Sequence, residues 1–133
     1  MKRMERLGLL RGAGAAALLA MTATLVASTA RAEDIPAAAT AEADTIWQTR
    51  CSTCHGATGK GDGPAGAALN PKPRDFTSAA WQAGVTDEHI EKTIVEGGQA
   101  VGLSMLMIPN PDLASKPDVV KALRAHVRSL SGK

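Results

Sequence analysis

The sequence predicts an all-α fold of three to five short helices joined by long loops. Three segments repeat apolar residues at three- and four-residue spacing, which is the spacing of one face of an α-helix. The stretches between them are rich in glycine and proline, which interrupt regular structure. No stretch alternates apolar and polar residues for long enough to predict a β-strand.

The first 32 residues have the features of a Sec signal peptide. An uncharged run over residues 12–30 follows a basic start and ends in Ala30-Arg31-Ala32. These small residues predict cleavage after Ala32 and export to the periplasm. The alternative is an uncleaved anchor, because residues 7–30 are long enough to span a bilayer with Arg11 at the interface. The Ala-x-Ala site favours cleavage.

Cleavage reverses the net charge. The full chain has 15 basic and 13 acidic residues. Removing residues 1–32 takes away five basic residues and one acidic residue, which leaves ten against twelve. The basic pI therefore belongs to the signal and gives no support for a nucleic-acid partner. An acidic mature chain favours a partner protein with a complementary basic patch.

The mature chain has little material for a core. Its only aromatic residues are Trp47, Phe76 and Trp81. A domain of this size usually needs an additional hydrophobic body, a metal or disulfides. A disulfide between Cys51 and Cys54 would close too small a loop to staple the domain. A bound planar prosthetic group would supply such a hydrophobic body.

The N-terminal half predicts one helix and one long loop. Residues 33–40 look like a flexible lead, so we expect the folded domain to cover residues 41–133. A helix over residues 42–50 has an apolar stripe that runs into Cys51 and Cys54. Residues 56–75 contain five glycines and three prolines, too many for a regular element. A loop of this length without regular structure is uncommon in a compact domain, and wrapping a prosthetic group would explain it.

The C-terminal half predicts two helices around a second loop. Thr86 caps the first of them, and Gly97 and Gly98 end it. The loop covers residues 99–113. The last helix opens with a capping box at Ser115 and Asp118, with Pro117 in its first turn. Its buried stripe is Val119, Val120, Leu123, Val127 and Leu130.

The segment Cys51-Ser52-Thr53-Cys54-His55 is a CxxCH motif, the signature of covalent haem c attachment. Its two thiols can form thioethers with the two vinyl groups of one haem, and His55 then lies under the iron as proximal ligand. A thioredoxin-like dithiol would need a βαβ context. Half of a zinc site would need a second ligand pair, and His89 and His126 are isolated. Covalent haem is the prediction.

Electron transfer needs a sixth iron ligand, and a methionine thioether there favours ferrous iron. Met105 and Met107 are the only methionines of the mature chain. Both lie in the loop between the last two helices. The residues alone predict that one of them is the ligand and leave open which.

These features resemble the class I c-type cytochromes, and more closely the monohaem bacterial proteins with a GDGP segment after the haem motif. The resemblance covers nearly the whole mature chain. It implies a cytochrome c fold in which the first and last helices cross around one covalent haem. Ala43 and Trp47 would then face Val119, Leu123 and Val127. The matching stretches are CSTCHGATGKGDGPAG, LNPKPRDF, TDEHIEKTIVEGG, VGLSMLMIPNPDL and DVVKALRAHVRSL.

The resemblance also implies an axial ligand. In this family the ligand methionine commonly precedes a proline directly, whereas Met107 is followed by Ile108 and then Pro109. An insertion-free match of the loop places Met107 at the ligand position, with Met105 as the alternative.

Further roles follow from the same resemblance. The carbonyl of Pro64 would orient the His55 ring, with Pro71 and Pro73 as alternatives. Arg74, Lys72 and the indole N–H of Trp81 would bind the haem propionates. The competing interpretation of the two cations is ordinary surface charge. We expect His126 to pack against the first helix and His89 to lie on a solvated face.

The resulting functional prediction is a periplasmic monohaem cytochrome that carries single electrons between redox partner proteins and is not an enzyme. It has no nucleic-acid partner and no stable membrane anchor after cleavage. Alternatives are a haem-based sensor or ligand-binding protein, and a cytochrome subunit of a larger periplasmic oxidoreductase. A peroxidase is weaker, because no second haem motif or distal acid–base pair accompanies the site.

Overall fold

The computed structural model describes residues 34–133, and the predicted signal peptide lies outside them. No strand occurs in this range, so the all-α prediction is confirmed. Two short 3-10 helices, Gln99–Val101 and Pro111–Ser115, lie in the second half. The α-helices are α1 (Ala37–Ile46), α2 (Ser52–His55), α3 (Ala79–Gly84), α4 (Asp87–Glu96) and α5 (Pro117–Ser129). A π turn, Trp47–Cys51, joins α1 directly to α2.

Helix α1 begins at Ala37, so the prediction of a flexible lead up to residue 40 is wrong for its last four residues. Pro36 immediately precedes the helix, and the alanines after it are the strongest helix formers. Ala39 is also buried in the core, so this first turn is held by packing. The alanines of this turn form no amphipathic pattern, so the apolar spacing did not predict that the helix begins there.

The core forms where α1 packs against α5. Leu113 and Leu123 are its most deeply buried large side chains, at 1% and 2% exposure. Each fully buried side chain of this kind contributes about 1.5–3 kcal/mol from the removal of apolar surface from water. The faces expected to meet, Ala43 and Trp47 with Val119, Leu123 and Val127, are all buried.

Two predicted helix starts have different outcomes. Thr86 caps α4 as expected, its side-chain oxygen accepting from the His89 amide at 3.2 Å. Pro117 opens α5 as expected, but the Ser115 capping box is wrong. Ser115 closes the preceding 3-10 helix, and its hydroxyl donates to the Asp112 carbonyl at 3.4 Å. Lys116 therefore takes the position before α5.

An ionic network fixes the start of α4 to α5. Asp87 pairs with Arg124 and accepts from Nε of Arg128 at 2.8 Å. Arg124, only 8% exposed, also lies 2.9 Å from Glu91. Buried charges of this kind are tolerated only when they are paired. The network holds α4, one wall of the cavity described below, against the core.

His126 packs against the first helix, as expected. Its ring centroid lies 4.3 Å from that of Trp47, and Nδ1 is 3.8 Å from a carboxylate oxygen of Asp44. Nε2 is buried and has no hydrogen-bond partner among the described residues. Burial lowers the pKa of His126 from its ordinary value of 6.5, Asp44 raises it in part, and Lys133 lowers it further.

This environment predicts a pH-dependent stability. Since the pKa of His126 is lower in the folded state than in the unfolded chain, the unfolded chain binds the proton first as the pH falls below about 6.5. The free energy of unfolding should therefore decrease from there down to the folded-state pKa and level off below it. We expect His126→Phe to flatten this slope in chemical denaturation between pH 7 and pH 5. An unchanged slope in the variant would contradict the assignment.

Candidate functional site

The Gly-rich loop holds the end of the helix that carries the CxxCH motif. A helix leaves the last four carbonyl oxygens without partners in the helix itself. Here the backbone amides of the loop supply all four partners for α2. The pairs are Gly56 to Ser52 at 2.8 Å, Ala65 to Thr53 at 2.9 Å, Gly63 to Cys54 at 3.1 Å and Gly61 to His55 at 2.8 Å. The loop therefore fixes the orientation of the motif.

Glycine is required where this loop touches α2. A Cβ atom on Gly63 would lie 2.5 Å from the carbonyl oxygens of Ser52 and Thr53. A Cβ atom on Gly66 would lie 2.1 Å from the carbonyl oxygen of Cys54. The high glycine content of the segment thus has a packing cause that the sequence alone did not reveal.

A cavity of about 550 Å³ opens beside the motif, within the usual size range of cofactor pockets. Cys51, Cys54 and His55 line one part of it. Helix α4 contributes a second part through Ile90, Thr93 and Ile94. Residues 103, 104, 106–108 and 110 of the second loop contribute a third part. The wall is mostly apolar, as a haem plane requires.

Both cysteines are free, half-buried and on the cavity wall. Burial is the main cause that raises the pKa of Cys51 to about 11, so this thiol is protonated at neutral pH. Two free thiols at one edge of an apolar cavity fit the two vinyl groups of a haem edge.

The His55 ring is held in one orientation. Its Nδ1 lies 3.3 Å from the Arg74 carbonyl, which can only accept, so Nδ1 donates and Nε2 keeps the lone pair that an iron ligand needs. The ring also stacks on Phe76, with centroids 4.5 Å apart. Burial lowers the pKa of His55, which favours the neutral imidazole.

The predicted acceptor for His55 is wrong. It is the carbonyl of Arg74, not that of Pro64, Pro71 or Pro73. The residues on either side of Pro64 donate to the backbone carbonyls of α2, which holds that segment beside the helix end. The acceptor comes instead from the far end of the loop.

Met107 lies on the cavity wall and is half-buried, whereas Met105 is 69% exposed and does not line the cavity. The loop is anchored to α4 by Asn110, whose side chain donates to the Ile94 carbonyl at 2.8 Å. The Gly98 amide donates to the Met107 carbonyl at 2.9 Å. These contacts fix the backbone of Met107 beside the cavity.

The predicted propionate partners Arg74, Lys72 and Trp81 all line the cavity, and their contact with propionates stays a prediction. His89 also lines it and is half-buried, so the expected solvated face is wrong. Phe76 was missed as a site residue. Two features of the sequence could have indicated it: Phe76 directly follows the Gly-rich loop and is one of only three aromatic residues of the mature chain.

The family comparison agrees with this geometry, because the model of the Cytochrome c family matches residues 40–131. The chain belongs to the cytochrome c family. As a class I cytochrome c it binds haem c covalently and is an electron carrier with redox partner proteins. Its CxxCH cysteines are Cys51 and Cys54. No curated protein matches this cytochrome. Within residues 34–133, no helix is both long and apolar enough to cross a membrane.

Proposed function

We propose that this cytochrome c is a periplasmic monohaem one-electron carrier with His55 and Met107 as axial iron ligands. The observation that carries the proposal is that one cavity is lined by both thiols, by His55 and by Met107. Bound haem supplies an iron that changes oxidation state by one electron. The residues of the chain bind it, orient it and exclude water from it.

Each part of the cavity supports this function. The Arg74 carbonyl fixes the His55 ring, and the apolar residues of α4 would keep water from a haem iron bound there. A thioether from Met107 would favour the ferrous state and raise the reduction potential. Lys72 and Arg74 are cations beside the cavity, suited to neutralising the haem carboxylates.

The periplasmic location rests on the sequence. A basic start, an uncharged run and the Ala30-Arg31-Ala32 site favour export and cleavage after Ala32. Haem attachment to a CxxCH motif fits an exported protein. The partners would then be other periplasmic or membrane-facing redox proteins.

The test uses mature protein purified from the periplasm. We expect its mass to correspond to residues 33–133 plus one haem and its pyridine haemochrome spectrum to show two thioether bonds. The oxidised protein should show a methionine-sulfur-to-iron band, and the reduced protein should not bind carbon monoxide. Ready carbon monoxide binding by the wild type would favour a haem-based sensor. Recovery of the protein in the cytoplasm with residues 1–32 retained would contradict the proposed periplasmic location.

A further inference from the structure

The segment between α1 and α2 contains one residue more than a regular helix accommodates. The Ser52 amide donates to the carbonyl of Trp47, five residues earlier in the chain. In a regular α-helix the acceptor is the carbonyl four residues earlier. We propose that this π turn absorbs an extra residue and keeps the haem-attachment segment in phase with the buried face of α1. The turn is a positioning element for His55 and the Cys54 thiol.

The distances between side chains support this phase relation. In a regular α-helix, residues seven apart lie within about 20° of one face, whereas residues eight apart are about 80° apart. Trp47 and His55 are eight apart, yet their ring centroids are only 6.4 Å apart. The π turn therefore makes His55, rather than Cys54, the residue that continues the face of Trp47.

The exposure pattern agrees. Ala43, Ile46 and Trp47 are buried against α5, and a regular helix would continue this stripe through Cys51 and Cys54. Cys51, the last residue of the π turn, still packs against this core, whereas Cys54 lies half-buried on the cavity wall and is not among the residues packed on the core. Without the π turn, α2 would rotate by about 100° relative to α1, which corresponds to one residue of a regular helix. The Cys54 thiol would turn toward the α5 interface, and His55 would turn away from Phe76.

The chain offers a matched pair of residues for a test. Thr45 lies in the α-helical part and Thr49 in the π turn. Both are exposed, and each hydroxyl donates to the carbonyl four residues earlier, at 3.0 Å and 2.8 Å. Deleting Thr49 leaves Trp47 seven residues before His55, so a regular α-helix restores the phase. Deleting Thr45 turns Ala39 and Ala43 by about 100° relative to Trp47.

The experiment compares the two deletions in the full-length precursor, with Thr45→Ala and Thr49→Ala as controls. The readouts are the mass of the haem-loaded chain, the visible spectrum of the folded protein and the thermal unfolding midpoint. We expect the Thr49 deletion and both alanine variants to resemble the wild type. The Thr45 deletion should lower the midpoint by on the order of 10 °C or yield no folded haem protein.

Equal behaviour of the two deletions, whether both tolerated or both damaging, would overturn the proposal. So would a Thr49→Ala variant as damaged as the Thr49 deletion, because the side chain would then be the cause. Haem mass and unfolding midpoint do not require Met107 as ligand. The outcome is therefore separable from that of the proposed electron-carrier function.

Discussion

Replacing Met107 with alanine is expected to remove the sixth ligand of the iron. The oxidised variant should lose the methionine-sulfur-to-iron band, and the reduced variant should bind carbon monoxide. The reduction potential should fall by on the order of 100 mV or more, since axial ligands set haem potentials over about 0.8 V. We expect these effects from Met107 because it is the methionine that lines the cavity among the described residues.

Met105→Ala is the matched control. Met105 is 69% exposed, so its truncation should leave the band, the carbon monoxide response and the potential unchanged. The reverse result, an unchanged spectrum for Met107→Ala and a changed one for Met105→Ala, would move the ligand to Met105. Unchanged spectra in both variants would rule out methionine ligation and favour an open sixth position.

Trp47→Ala is expected to lower the free energy of unfolding by about 3–5 kcal/mol, the usual cost of truncating a buried tryptophan. Trp47 is 5% exposed and packs on the rings of His126, Phe76 and His55 at centroid distances of 4.3, 6.2 and 6.4 Å. The cavity left by alanine would separate α1 from α5 and loosen the support of His55.

Chemical denaturation of the haem-loaded protein measures this loss. Trp47→Phe keeps an aromatic ring in the same place, so its free energy of unfolding should decrease clearly less than that of Trp47→Ala. A loss below about 1 kcal/mol for Trp47→Ala would show that the haem, rather than Trp47, holds the two helices together. An equal loss in both variants would point to a role for the indole N–H.

Much of the site was predictable because its signals are local. CxxCH is a contiguous motif, and the caps and stops of α4 lie within a few residues of the helix they bound. The apolar stripe of α5 predicted its buried side, although the stripe gave no warning that Arg124 is buried too. Arg124 is stabilised there by Asp87 and Glu91, which lie on another helix.

Errors arose where a contact joins distant segments or where backbone geometry departs from the ideal. The acceptor for His55 is 19 residues away, at the end of a loop with no periodic pattern. Helix α3, which carries Trp81 to the cavity, is only six residues long and was not predicted. The π turn was also missed, because apolar spacing assumes a regular helix.

The sequence by itself determined the cofactor, the helical class and the pair of candidate methionines, since these depend on residue identity and short spacing. Only the tertiary structure placed Met107 on the cavity wall and Met105 at the surface, found the partner of His55 and set the phase of Cys54 and His55. The physical reason is that burial and orientation depend on which surfaces meet across the fold. Neighbouring residues along the chain do not encode that geometry locally.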